Sequence, residues 1–317
     1  MSDIIRSIAQ KGDESLSLIS LPMALPGFEE FLGSWLLRSP EGKVLVDCGV
    51  TGTYGALKGA LDELGVKPDL LLLTHVHLDH AGAAGCLCRD FPEMKVFCFE
   101  KAAKHMINPE KLWKATAATL GEATTLAYQP PLPVPPDRII TREALASDWK
   151  TLDTPGHAAH HLSFLRNFAG ERLCFGGEAL GVIAGMGCTS WFADGQRRDG
   201  LRPATPPKYV PSIGAASMKL IEAEPWTLFC AGHFGASRDR SLPQRALKQI
   251  ALWEKKVALA QECGMSESEI VTYMTLADPE LSDFKYYTPQ DREREIYFLG
   301  NSVRGFVQYL QEKDLQP

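Results

Sequence analysis

The stretch from Asp69 to Leu73 is an almost unbroken apolar run, and it ends on Thr74-His75-Val76-His77-Leu78-Asp79-His80. A run this short and apolar suits a strand buried on both faces. Where such a strand ends and the backbone turns, side chains at alternate positions converge, so His75, His77, Asp79 and His80 offer four potential ligands within six residues. A single histidine after a strand is usually a surface or core residue, but three with an aspartate at this spacing point to a metal. Imidazole nitrogens mixed with a carboxylate favour zinc, iron or manganese over calcium or magnesium, which take all-oxygen shells.

This cluster cannot by itself fill two sites, so it predicts further histidines downstream. His157 closes the turn Asp153-Thr154-Pro155-Gly156-His157 after an apolar strand, and His233 ends Cys230-Ala231-Gly232-His233, again at a strand end beside a glycine. Five of the eight histidines therefore stand at strand ends, and the same ligand-count logic assigns His157 and His233 as ligands.

Short strands are predicted over 16–22, 33–38 and 42–47, the last two joined by the turn Ser39-Pro40-Glu41-Gly42. Helical spacing of Leu57, Ala60, Leu61 and Leu64 marks a helix over 53–64, stopped by Gly65. A small-residue helix near 81–89, a strand at 95–99 and helices near 100–106 and 109–120 follow. The proline-dense segment 128–136 reads as an extended connector between two halves, because proline lacks the donor a helix or central strand requires.

Further strands are expected at 138–141, 149–153, 161–166, 172–176 and 226–230. Residues 185–212, rich in Gly, Pro, Arg and aromatics without a clear period, read as a functional loop or lid. From 242 the pattern turns helical, over 243–262, 266–276 and 290–313. The expected organisation is a catalytic domain over 1–240 with a helical extension, 241–317, packed on it.

A net charge of −6 gives no basic footprint for a phosphate backbone, so nucleic acid is not an expected partner. No apolar stretch approaches the roughly 20 residues that span a bilayer, and the opening Met1 to Arg6 reaches charged residues too soon for a secretory core segment. A cytoplasmic protein without a membrane partner is expected. The cysteines at 48, 86, 88, 98, 174, 188, 230 and 263 lack Cys-x-x-Cys spacing and sit mostly among apolar neighbours, as buried reduced thiols do.

The His75-x-His77-x-Asp79-His80 run, the Thr154-Pro155-Gly156-His157 turn, the segment Gly176-Gly177-Glu178 and the late Gly232-His233 together resemble the metallo-β-lactamase superfamily over roughly residues 30–240. The runs from His75 to Gly82 and from Thr154 to His161 are similar to its hydrolase branch that includes glyoxalase II. The resemblance implies an α/β fold, a four-layer αββα sandwich of two similar halves with metals at one edge between the sheets. Here a C-terminal helical extension follows it. Two divalent ions are implied, zinc first, with iron or manganese as alternatives. His75, His77 and His157 would hold one, and Asp79, His80 and His233 the other.

The family's bridging aspartate corresponds here to Glu178, one methylene longer, which must fold back, shift the strand or bind a single ion. Asp47, in Val46-Asp47-Cys48-Gly49, resembles the family's early Asp-x-Gly carboxylate beneath the metals, where it would fix histidine tautomers. His161 matches a second histidine common in the Thr-Pro-Gly-His pattern and His160 is extra; neither is expected to be a ligand.

The implied chemistry is hydrolysis by a metal-bridging hydroxide, since a metal lowers the pKa of bound water to about 7. Asp79 is then the catalytic residue that orients it and shuttles its proton. The substrate expected is a small-molecule ester, thioester, lactone or phosphoester. Trp191, Phe192, Arg202, Lys208 and Tyr209, in the irregular stretch, are candidate substrate contacts. Alternatives on the same fold are a mono-iron sulfur dioxygenase-like oxidoreductase, a nuclease, and a non-catalytic binding module, against which the complete ligand set argues. The apolar period of the tail suits either a cover over the site or a homodimer surface.

Overall fold

Strands of the first half carry apolar residues at odd and even positions alike, so each needs cover on two faces. The computed structural model, which describes residues 3–183 and 200–314, shows what supplies it. Strands β1 Ile5–Lys11, β2 Glu14–Leu21, β3 Leu32–Ser39 and β4 Gly42–Val46 pair antiparallel in sequence order, and β5 Leu70–Leu72 and β6 Lys95–Phe97 add in parallel. Ile19, Leu36, Leu45, Leu71 and Val96 share a core with residues of α1 Tyr54–Glu63, α2 Leu78–Ala81, α3 Ala84–Asp90, α4 Ala103–Ile107 and α5 Glu110–Tyr128. Leu18, Trp35, Leu37, Val46, Leu72 and Phe97, on the opposite face, join a separate core.

That second core is shared with another sheet. There β7 Lys150–Asp153, β8 Leu162–Phe168 and β9 Glu171–Gly177 form an antiparallel meander. A two-residue ladder of β10 Val182–Ile183 with β11 Leu201–Arg202 follows; β12 Leu228–Ala231 then pairs parallel with β9 and antiparallel with β13 Ala236–Ser237. Leu162, Phe164, Leu173, Phe175 and Cys230 meet the first sheet. Leu165, Cys174 and Phe229 face outward, where they are covered by α6 Pro211–Ala223, α7 Leu242–Glu262, α8 Glu267–Ala277 and α9 Pro289–Asp314. The layers run helix, sheet, sheet, helix. Trp35 Nε1 donates to the Ala231 carbonyl at 2.9 Å and Leu162 N to that of Thr74 at 2.7 Å, tying the sheets together beside the strand ends. No described helix is long and apolar enough to cross a membrane.

Departures from the sequence expectations have local causes. Residues 138–141 are not a strand: the amides of Arg138 and Ile139 bond back to the Pro135 and Pro136 carbonyls in a tight turn, which leaves only an isolated bridge of Ile139 to Val96. The helix expected near 81–89 is two pieces, α2 and α3, and begins earlier, at Leu78. Gly121, at φ 77°, interrupts α5, which continues to Tyr128 past the expected end at 120. The sequence pattern reveals neither β1, whose register slips between Ser7 and Ala9, nor the small-residue helix α6.

Helix α9 brings charge into the core. Arg202 Nε lies 2.6 Å from Glu295 Oε2, Arg294 Nε lies 3.0 Å from Glu295 Oε1, and Arg294 Nη1 lies 2.9 Å from Asp291 Oδ1. Burial alone would raise the pKa of Glu295, but the Arg202 and Arg294 guanidiniums outweigh it and hold the carboxyl below its usual value. Glu295→Gln leaves two buried guanidiniums short of a counter-charge and is expected to cost about 3–5 kcal/mol in urea unfolding at neutral pH. Because the folded pKa is depressed, this stabilisation is present above the unfolded carboxylate value, about 4.3, and is lost as pH falls through the lower folded value. Wild type and variant therefore converge in strong acid.

Candidate metal centre

After β5 the chain stays extended through His77, at φ −63° and ψ 148°, and turns into α2 at Leu78. In the extended part Val76 enters the core at 1% exposure, so His75 and His77, two residues apart, project to the other side. The start of α2 then swings Asp79 and His80 toward the same point. The remaining donors follow second-sheet strands: His157 comes four residues after β7, Glu178 directly after β9 and His233 two residues after β12. All lie beyond carboxyl ends of strands, where side chains from separate strands can meet.

Two overlapping donor groups result. His75, His77, His157 and Glu178 form one, and Asp79, His80, Glu178 and His233 the other, with the donor atoms of each within 4.8 Å of one another. In the first, His77 Nδ1 is 3.0 Å from both His75 Nε2 and His157 Nε2, while Glu178 Oε2 is 2.9 Å from His157 Nε2 and 3.6 Å from His75 Nε2. In the second, His80 Nε2 is 3.6 Å from Asp79 Oδ2 and 3.4 Å from Glu178 Oε2, and His233 Nε2 is 3.8 Å from Asp79 Oδ2 and 3.5 Å from Glu178 Oε1.

Glu178 reaches both groups because the strand end is displaced. The β12–β9 register skips Gly176, pairing Cys230 with Phe175 and Ala231 with Gly177, and Gly177 adopts φ 49°. A side chain at Gly177 would collide with His161 Nε2, so glycine permits both the turn and the approach of that ring.

The hydrogen bonds behind the histidines decide where their lone pairs point. Thr74 Oγ1 donates to Asp47 Oδ2 at 2.8 Å and so accepts from His75 Nδ1 at 3.1 Å. Asp47 Oδ2 also accepts from His80 Nδ1 at 2.9 Å, and Asp47 Oδ1 from the Thr74 amide at 2.8 Å. The Ala204 carbonyl takes His157 Nδ1 at 3.0 Å and the Phe31 carbonyl takes His233 Nδ1 at 3.1 Å. With each Nδ1 committed as a donor, the Nε2 atoms of His75, His80, His157 and His233 are left facing the centre. His80 Nε2 is buried without a hydrogen-bond partner among the described residues. A cation would satisfy it.

The electrostatics divide the histidines into two kinds. Burial and neighbouring imidazoles push His75 and His77 well below the ordinary histidine pKa, keeping them neutral. Burial also disfavours charge on His80 and His157, but Asp79 and Asp47 beside the first, and Glu178 beside the second, outweigh it and raise both. Burial would likewise raise Glu178, yet His157 and His233 hold it well below the carboxylate range, as an anion. Each group offers the nitrogen and oxygen donors of a divalent-ion site.

A model of the metallo-beta-lactamase superfamily matches residues 34–233, more than half of the chain. The chain belongs to the metallo-β-lactamase superfamily. The fold agrees with a superfamily protein from the archaeon Sulfolobus tokodaii, at TM-score 0.58 and 23% identity over 73% of this chain and 85% of that one. A family protein from Thermus thermophilus aligns at TM-score 0.57 and 20% identity over 94% of both chains, so the likeness extends into the C-terminal helices. A hydroxyacylglutathione hydrolase from Enterobacter sp. (strain 638) is 26% identical over 159 residues, 49% of this chain. The matches span 66%, 52% and 66% of the length of the first curated relatives.

In this metallo-β-lactamase site Asp47 sits at the strand end with φ 58°, a strained conformation for a non-glycine residue that its hydrogen bonds hold in place. His161, not expected as a ligand from sequence, has a different task. It accepts the Glu178 amide at Nε2, at 3.2 Å, and lies 2.9 Å from Thr154 Oγ1 through Nδ1, so it positions the shared carboxylate's backbone. Sequence reasoning also missed Tyr128. Tyr128 is buried in the first core, and burial, reinforced by the charges of Asp79, Tyr297 and Glu178, raises its phenol well above the usual value and keeps it protonated. Its place at the head of the proline connector was the one signal available.

The candidate substrate contacts separate. Arg202 is buried and bound to Glu295, not turned to the site. Lys208 is exposed, and its amide donates to Gln308 Oε1. Tyr209 is buried and borders, with His157 and Glu178, a narrow cavity. Trp191 and Phe192 lie outside the described residues. Asp47→Asn removes the charge that holds His80 and Thr74, and is expected to lower zinc affinity about 10–100-fold in a chelator competition assay; unchanged affinity would deny Asp47 that role.

Proposed function

We propose that this chain is a two-ion hydrolase in which Glu178 would serve both ions and Asp79 would handle the proton. The observation that carries the reading is the Glu178 carboxylate, which lies 2.9 Å from His157 and 3.5 Å from His233 and so belongs to both donor groups. His75, His77 and His157 would hold one ion, and Asp79, His80 and His233 the other, with zinc the first candidate and iron or manganese the alternatives. Bound there, the ions would supply Lewis acidity and lower the pKa of a coordinated water.

The chain's own residues divide the remaining work. Glu178, 7% exposed and ringed by imidazoles, stays an anion and fixes the spacing of the groups. Asp79 is the more open carboxylate, at 19% exposure, so it can meet incoming water, accept a proton and return it to a leaving group. Asp47, Thr74, Ala204 and Phe31 keep the imidazoles in one tautomer throughout.

The substrate proposed is a small molecule, and the relative named hydroxyacylglutathione hydrolase makes a thioester the first class to test, before esters, lactones and phosphoesters. Zinc-replete protein is expected to hydrolyse at least one member of such a panel. His77→Ala should lower that rate about a hundredfold or more, the loss of a Lewis-acid site worth several kcal/mol. Equal rates for His77→Ala and wild type, or no turnover of any panel member, would overturn the reading.

A further inference from the structure

A column of stacked groups runs from one donor group to the C-terminal helix. The His233 imidazole lies on the Phe31 ring, with centroids 4.0 Å and planes 18° apart, and Phe31 stacks in turn on Phe298 of α9 at 5.1 Å and 19°. The Arg202 guanidinium sits 4.6 Å from the Phe298 centroid, held there by Glu295 of the same helix. Arg294, one residue earlier, lies 5.8 Å from Phe31 and 5.2 Å from Phe234, and its Nη1 donates to the Gly27 carbonyl. Phe31 thus fixes His233 twice. Its carbonyl takes Nδ1 at 3.1 Å, and its ring lies between the imidazole and Phe298 of α9.

A second contact from α9 serves the other group. Ser302 Oγ donates to the Pro203 carbonyl at 2.7 Å and its own carbonyl accepts from Thr205 Oγ1 at 3.3 Å. These bonds bracket Ala204, whose carbonyl takes His157 Nδ1 at 3.0 Å.

We propose that α9 is a working part of the metal centre, in which Phe298 positions His233 and Ser302 positions His157 by separate contacts. The helix would thereby set the cation affinity of each donor group without touching an ion. This rests on the reading that both groups bind ions. An imidazole left free to rotate must be reordered on binding, and loss of such supporting contacts typically costs affinity.

The test isolates each group. In a His77→Ala background the Asp79, His80 and His233 group remains, and in a His80→Ala background the His75, His77 and His157 group remains; zinc affinity is read by competition with a chromophoric chelator, with folding followed by circular dichroism. Phe298→Ala is expected to weaken zinc about tenfold or more in the first background and to leave the second nearly unchanged, whereas Ser302→Ala should do the reverse to a smaller extent. Phe298→Tyr, which keeps the ring, should restore the affinity. Should Phe298→Ala fail to fold, Phe298→Leu, which keeps bulk without a ring, carries the same comparison. Equal effects in both backgrounds, or none in either, would overturn the proposal. Absence of zinc binding in both backgrounds before any helix substitution would instead overturn the two-ion reading.

Discussion

An imidazole is held with a lone pair aimed inward when its other nitrogen has an acceptor for its proton, and the architecture around this site supplies that acceptor for His75, His80, His157 and His233. Asp47, at the end of β4, receives His80 directly and orients His75 through Thr74. Backbone carbonyls of Ala204 and Phe31 do the same for His157 and His233. Without these bonds, rings crowded within hydrogen-bond distance of one another would trade protons among themselves instead of offering a convergent set of donors. The parallel placement of β4 and β5, and of β9 and β12, brings the acceptor-bearing turns to one edge of the sandwich.

What the sequence reveals is what is encoded locally. The run from His75 to His80 is legible because an extended segment passing into a helix start needs no distant partner to place its donors. His157 and His233 are legible because each follows a strand and stands beside a glycine. Their acceptors are not, since a backbone carbonyl carries no residue signature. The long glutamate at 178 was readable as a departure from an aspartate pattern, but the skipped Gly176 that accommodates it depends on pairing with β12, more than fifty positions downstream.

The same distinction explains Arg202. An arginine in an irregular, aromatic-rich stretch reads as a substrate contact, and nothing nearby in sequence says otherwise. Its partner, Glu295, stands 93 residues later on α9, and burial of the pair is a property of the assembled layers. Tyr209 is buried by the same helical layer, against Phe306. Regular periodicity made the C-terminal helices visible from 242 onward, yet it could not show that they reach across the second sheet to the residues behind the donors. The remaining aromatic candidates, Trp191 and Phe192, lie outside the described residues.

Cations are expected to occupy the two groups that share Glu178. Crystals of zinc-loaded protein, measured on both sides of the zinc absorption edge, test this most directly. Two anomalous peaks are predicted, one among His75, His77 and His157 and one among Asp79, His80 and His233, each next to a Glu178 oxygen. A single peak, or peaks away from Glu178, would contradict it.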